Sequence, residues 1–191
     1  EAGLGVARPR EVIECYDIAN ISGTKSVASR VVAVAGIPAP ARYRMYRIQT
    51  VAGADDPASV AEVIRRRFKR ALAEGEPLPD LVLVDGGITQ LRAARAELDA
   101  LGLRRQRAAG IAKQFEELYH DPENEAEPLR FEPGSPALRV IQQIRDEAHR
   151  FALTYHRKLR TRKIRESVLD DIPGIGARRT EKLLAHFGSV A

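Results

Sequence analysis

Apolar and polar positions alternate along three consecutive stretches near the start of the chain, 12–19, 26–35 and 42–49, all rich in Val, Ile, Ala and Tyr. The links between them, "NISGTKS" and "GIPAPA", are short and hold turn-forming residues, which predicts an antiparallel meander. The period then becomes helical. Through "ASVAEVIRRRFKRAL", Val60, Val63, Ile64, Phe68, Ala71 and Leu72 share one face, with Asp56 as N-cap and Pro57 at the first helical position. "GEPLP" ends that helix. "DLVLVDGG" follows as a strand with apolar residues on both faces, the pattern of a central strand covered on both sides. "ITQLRAARAELDAL" predicts a second amphipathic helix stopped at Gly102, "QRAAGIAK" a further strand, and residues 119–135, rich in Pro and acid, a loop or small hairpin. Ser135-Pro136 then opens a long helix with Leu138, Ile141, Ile144, Ala148, Phe151, Tyr155 and Leu159 at helical spacing. The order β-β-β-α-β-α-β-α predicts an α/β fold, a mixed five-stranded sheet with helices on both faces.

At 191 residues and 44% hydrophobic composition the chain carries enough apolar surface for a real core, which excludes disorder over most of its length. No apolar run approaches a membrane span and the N-terminus has no signal pattern, so a soluble, cytoplasmic protein with no membrane partner is expected. The single cysteine, Cys15, excludes an intramolecular disulfide and suits a reducing compartment. The chain starts at Glu1 and reads as a fragment of something longer. Its net charge of +5 is unevenly spread: from Arg139 onward there are twelve Lys and Arg against six Asp and Glu. Arg150, Arg157, Lys158, Arg160, Arg162, Lys163 and Arg165 form a stretch with no acid, which reads either as a solvated helix face or as a phosphate-binding stripe.

Two acids stand where strands meet the core. Asp17 ends the core of the first strand, in "ECYDIAN", and Asp85 ends the fourth, before Gly86 and Gly87. Taken singly, Asp17 reads as a turn former or ion-pair partner and Asp85 as a helix cap or turn acid. If those strands lie parallel and adjacent, both carboxylates emerge at one edge, the two hard oxygen ligands a divalent cation needs. His149 lies at the border of the long helix's buried stripe, where an imidazole serves structure, ligates metal or takes a proton from water; Asp146 and Glu147 are rivals as ligands. His156 suits DNA contact better than metal. Asp56 and Glu62 are candidates for an additional acid, with Asp56 also explained as a plain cap. Which of Lys25, Arg30, Arg42 and Arg44 faces a ligand stays open.

The segment "LDDIPGIGARRTEKLLAHFG" is the most specific local signal. Gly174 and Gly176 let backbone N–H groups approach a phosphate, and Arg178, Arg179 and Lys182 add positive charge at the start of a helix. This is the helix-hairpin-helix pattern, which grips DNA backbone without reading bases; a simple packing corner between two helices is the alternative. Such hairpins usually work in pairs, and only one is present in the sequence.

Four stretches, "ECYDIANISGT", "LPDLVLVDGGITQL", "SPALRVIQQIRDEAHRFALTYHRKLR" and "LDDIPGIGARRTEKLLAHFGSV", together resemble the C-terminal half of the UvrC family, the incision subunits of bacterial nucleotide excision repair. The resemblance covers essentially the whole chain. It implies a ribonuclease H-like endonuclease domain over 1–165 and the first motif of a truncated tandem helix-hairpin-helix over 166–191. It also implies a site of Asp17, Asp85 and His149, with Asp56 as a less secure accessory acid, and 5′ incision beside a lesion in damaged double-stranded DNA. The family's segment for binding UvrB is absent from this chain, so UvrB is a partner of the full-length protein. On this basis Asp17, Asp85 and His149 are expected to hold Mg²⁺ or Mn²⁺ at the scissile phosphate. DNA contacts are expected from Arg150, His156, Arg157, Lys158, Arg160, Arg162, Lys163, Gly174, Gly176, Arg178, Arg179 and Lys182. A catalytically silent DNA-binding scaffold is the rival reading, and a metal-dependent phosphatase a third.

Overall fold

The structure, a computed structural model, describes residues 12–19, 26–51, 53–112, 117–120 and 128–170 together with 176, 179, 182 and 186, and side chains of the long helix as far as Tyr155. By its internal contacts the chain divides into two compact units, Glu1–Ala152 and Leu153–Ala191.

In the first unit the strands are β1 (Val12–Ala19), β2 (Val27–Val34), β3 (Ile37–Pro38), β4 (Arg44–Arg47), β5 (Leu81–Asp85), β6 (Ala108–Ala112) and β7 (Glu117–Tyr119). The helices are α1 (Asp56–Glu74), α2 (Ile88–Ala100) and α3 (Pro136–Asp170), the last continuing into the second unit. The sheet runs β3-β2-β1-β5-β6-β7, with β4 also on β2. β1 pairs antiparallel with β2 and parallel with β5, β5 is parallel to β6, and β7 returns antiparallel. This is the mixed sheet expected from the sequence, with seven strand segments instead of five. The expected third strand, 42–49, is β4, shorter at Arg44–Arg47, and β3 is an additional short strand in the expected link: Ala35 (φ 49°) and Gly36 (φ 79°) close a two-residue hairpin into β3, and a 3₁₀ turn at Pro40–Arg42 separates it from β4. Proline at 38 and 40 cannot donate into a continuing ladder, which ends β3 after two residues. The additional β7 meets Leu129 through an isolated bridge, so the acidic loop region does form a small antiparallel contact.

Strand alternation sorts the core into two layers. Ile13, Cys15, Val31, Leu81, Leu83 and Ile111 pack against Ile141, Ile144 and Ala148 of α3. Tyr16, Val82 and Val84 face Val60, Ile64 and Phe68 of α1 and Leu91, Ala94 and Leu98 of α2. Each fully buried Leu, Ile or Phe contributes about 1.5–3 kcal/mol relative to exposure. Leu72, expected on the buried face of α1, is 48% exposed. Among the described residues no helix is long and apolar enough to cross a membrane.

The cap of α1 is Asp55, not Asp56. The Asp55 carboxylate accepts from Ala58 N–H at 2.9 Å, which puts Asp56 inside the first turn. Glu62, offered above as a second extra acid, is buried and already engaged: it accepts from Gln49 N–H, Thr50 N–H, the Thr50 hydroxyl and Arg66, at 2.7–3.1 Å. It is a pin that ties the loop after β4 to α1. Burial alone raises its pKa, but the bonds from Thr50, Gln49 and Arg66 outweigh burial and hold it down to about 2. A carboxylate depressed in the folded state stabilises above its unfolded value of 4.5, and that contribution fades as pH falls towards about 2. Denaturant unfolding of Glu62→Gln should therefore show lower stability at pH 7, by up to about 3 kcal/mol, and a flatter dependence between pH 5 and 2 than the parent. Parallel pH profiles for the two proteins would show that the pin does not carry this stability.

Candidate active site

In β1 the residues Ile13, Cys15 and Asp17 alternate with Glu14, Tyr16 and Ile18, and in β5 Leu81, Leu83 and Asp85 alternate with Val82 and Val84. The apolar members of the two odd-numbered sets, Ile13, Cys15, Leu81 and Leu83, belong to the layer under α3, so Asp17 and Asp85 lie on that face too. The parallel ladder aligns Tyr16 with Val84, and one further step of the same register sets Asp17 beside Asp85. The sequence-expected pair is thus brought together by strand pairing, although 68 positions separate its members. Asp17 is 3% exposed, and Oδ2 of Asp17 and Oδ1 of Asp85 are both shielded from solvent. Burial pushes the thiol of Cys15, directly beneath them, well above its usual range, and the charges of Asp85 and Asp17 push it further. Cys15 is therefore a neutral packing group at this site, not a nucleophile.

His149 joins the pair from α3, its Nδ1 3.5 Å from Asp17 Oδ2. The imidazole is 56% exposed while the carboxylate it meets is buried. Two contacts set its height. Ser29, the cross-strand partner of Asp17, donates its hydroxyl to Ala148 O at 3.1 Å, and Tyr43 packs edge-on to Phe151 with ring centroids 5.2 Å apart. The rival ligands are engaged nearby: Glu147 takes a two-pronged bond from Arg150 (2.6 and 2.7 Å), and Asp146 pairs with Arg145. Burial and the facing Glu147 carboxylate raise the Tyr43 hydroxyl to about 12, so it stays protonated at neutral pH.

Asp85 is not the cap of α2. That position is Gly87, with no side-chain cap bond, so the first turn of α2 directs its N–H groups and positive dipole end towards the Gly86-Gly87 turn behind Asp85. Gly110 of β6 is what lets that turn approach. A Cβ there would lie 2.6 Å from Gly86 O and 3.1 Å from Gly87 O, and Gly86 N–H donates to Ile111 O at 3.0 Å.

The donor chemistry of two carboxylates and one imidazole suits a divalent cation. As the side chains stand, no three ligating groups among the described residues close around a common point: Asp17 and Asp85 pair, and His149 addresses Asp17. Asp56 is half-buried in the first turn of α1. Of the expected DNA contacts, Arg150 is occupied by Glu147, and Gly176, Arg179 and Lys182 are exposed in the second unit, where Arg179 N–H donates to Gly176 O at 2.8 Å. The side chains of His156, Arg157, Lys158, Arg160, Arg162 and Lys163, and residues Gly174 and Arg178, lie outside the described residues.

Sequence reasoning passed over a buried polar cluster among the described residues. Glu14, 1% exposed, accepts from Tyr16 Oη (2.6 Å), Arg30 (3.2 Å) and Arg67 (3.0 Å), and Arg67 also donates to Glu76 at 2.8 Å. This cluster settles Arg30 as a structural partner. Its one sequence signal was the alternation itself, which puts Glu14 on the α1 face.

A family profile described as "UvrC RNAse H endonuclease domain" matches residues 1–153. Proteins named UvrABC system protein C are similar along nearly the whole chain. That of Acidobacterium capsulatum is 49% identical over 93% of this chain, that of Dehalococcoides mccartyi 48% over all of it, and that of Gloeobacter violaceus 50% over 95%. The chain spans 27–32% of the length of these relatives. Among solved structures, a Ciona intestinalis endonuclease V in complex with DNA is similar with a TM-score of 0.41 and 16% identity, over 62% of this chain and 51% of that one.

The glycine contacts generate a test of how the Asp85 turn is built. Gly110→Ala should lower stability by about 1–3 kcal/mol, a fall in Tm of roughly 3–10 °C, because backbone must move. Gly87→Ala, whose added Cβ meets nothing within 4 Å, should stay close to the parent. Equal losses in the two variants would contradict the packing argument.

Proposed function

The chain belongs to the UvrC RNase H endonuclease domain family, and from that premise we propose that it is the strand-cutting module of a nucleotide excision repair protein, a divalent-metal-dependent DNA endonuclease. The observation that carries the reading is the convergence of Asp17, Asp85 and His149 from two strands and a helix onto one sheet edge. The proposed substrate is damaged double-stranded DNA, cut on the 5′ side of the lesion, with UvrB as partner of the longer protein.

On this reading Asp17 and Asp85 would hold Mg²⁺ or Mn²⁺. A cation there supplies charge neutralisation at a phosphoryl oxygen and lowers the pKa of water. The protein's own contribution starts with rigidity: both carboxylates leave hydrogen-bonded strands, so their spacing does not depend on a loop. His149 turns Nδ1 to Asp17, and its exposed imidazole would either complete the cation's shell or accept the proton of an attacking water. Asp17 thus orients the imidazole as well as serving as a ligand, and Ser29 holds the helix carbonyl that precedes it. Asp56 is retained as an accessory acid near the start of α1. The basic stretch from Arg150 onward and the Gly174–Lys182 segment are proposed to follow the DNA backbone.

Nicking of lesion-containing duplex in Mn²⁺, Mg²⁺ and EDTA tests the reading. Asp17→Asn and Asp85→Asn should each lower cutting by about 100-fold or more, equivalent to several kcal/mol of transition-state stabilisation, while DNA affinity in EDTA stays within about threefold. Cutting that survives EDTA or either substitution would rule out this site. Tight binding with no cutting by the parent under any metal would favour the silent scaffold.

A further inference from the structure

α3 carries a permanent positive charge inside its buried stripe. Arg145 stands four residues after Ile141, seven after Leu138, three before Ala148 and seven before Ala152, all of them apolar and buried, and its own side chain is only 19% exposed. One flank of the helix faces β2 and the link after it, because Val140 lies against Gly36 and Phe151 against Tyr43. Arg145 is on the other flank, that of His149, one turn or about 6 Å behind it. Since the sheet continues β2-β1-β5, that flank faces the strands that carry Asp17 and Asp85. The guanidinium donates through Nε and Nη2 to Asp146 Oδ1, at 3.1 and 3.0 Å, but that carboxylate is exposed and offsets little of the charge. The charge is felt beneath the acid pair. At the Cys15 thiol burial raises the pKa most, the charges of Asp85 and Asp17 raise it further, and the charge of Arg145 works the other way.

We propose that Arg145 is the resident counter-charge of the Asp17–Asp85 pair: it stabilises the pair in the metal-free protein and, by repelling an incoming Mg²⁺ or Mn²⁺, sets the concentration at which the cation binds. The inference rests on the metal-binding reading of the pair given above. The two effects are one free energy seen from two sides. Carboxylates on adjacent strands repel, and a guanidinium on the covering helix, which keeps its proton at every pH the protein meets, offsets part of that repulsion. A divalent ion that neutralises the pair more fully gains only the remainder, less its own repulsion from the arginine. What Arg145 contributes to the metal-free protein is therefore subtracted from metal affinity. An apolar side chain would fill the same stripe, so packing does not account for the charge.

The test is a titration of the full chain with Mn²⁺ in the absence of DNA, the free ion being read by electron paramagnetic resonance. The proteins are the parent, Arg145→Gln, Arg145→Lys and Arg139→Gln, the last an exposed arginine of the same helix, and thermal unfolding of each is followed in EDTA and at saturating Mn²⁺. Arg145→Gln should bind Mn²⁺ about three- to tenfold more tightly than the parent and unfold about 2–5 °C lower in EDTA, a gap that closes when the site is filled. Arg145→Lys, which keeps the charge, and Arg139→Gln should both stay near the parent. A purely structural arginine would cost the same stability with and without metal and leave Mn²⁺ affinity unchanged or weaker; that result, or an equal gain of affinity in Arg139→Gln, overturns the proposal. The metal reading fails separately. A parent whose Mn²⁺ binding is absent, or is unmoved by Asp85→Asn, has no cation at this pair, and the proposal falls with it; a parent that binds through Asp85 beside an Arg145→Gln variant of equal affinity sinks the proposal alone.

Discussion

Asp17 and Asp85 end neighbouring parallel strands on the same face, so the ladder that holds β1 to β5 also holds two like charges against each other. Strands in a sheet lie about 4.8 Å apart, and at that spacing two carboxylates repel by roughly 1 kcal/mol in water and several times more where water is excluded. A loop would let them separate. Here the alternation of Ile13, Cys15 and Asp17, and of Leu81, Leu83 and Asp85, ties each acid to a buried row that anchors it from below. The apolar core therefore maintains an electrostatic conflict at its rim, and the helix that covers that core brings His149 to the same place. A divalent cation at that rim would offset both charges at once, which is the physical ground for reading the pair as a ligand set.

The opposite face of the same strand shows what the chain does with an acid meant to be quiet. Glu14 is as deeply buried as Cys15, yet it is met by Tyr16, Arg30 and Arg67, with Glu76 behind Arg67. Breaking such a network by removing one partner typically costs about 3–5 kcal/mol. Burial and the Glu14 charge together push the Tyr16 hydroxyl well above its ordinary value, so it remains a donor to that carboxylate. Glu62 follows the same rule with backbone donors in place of arginines. Structural acids in this fold are thus enclosed by donors.

Local patterns made much of this legible. Period-two alternation located β1, β2 and β5, period-3.6 spacing located all three helices, and strand-end acids located the Asp17–Asp85 pair, because each depends on residues close in sequence or on one rule of sheet adjacency. What escaped depends on contacts that no local window holds. Asp55 and Asp56 are chemically interchangeable caps, and only the backbone phase of the first turn decides between them. β3 lies in what reads as a link, and only its pairing with β2 across the Ala35-Gly36 turn makes it a strand. Arg67 finds Glu14 across 53 residues, a pairing visible only after α1 is laid on the sheet.

An acidic cutting centre poses a problem for an acidic substrate. The carboxylates that hold a cation also repel the phosphates flanking the one to be cut, and one divalent ion offsets only the charges nearest to it. Affinity for DNA then has to come from positive charge placed away from the chemistry, where it does not compete with the cation for Asp17 and Asp85. The chain's charge distribution has that form. Its body is near neutral and its C-terminal quarter is basic.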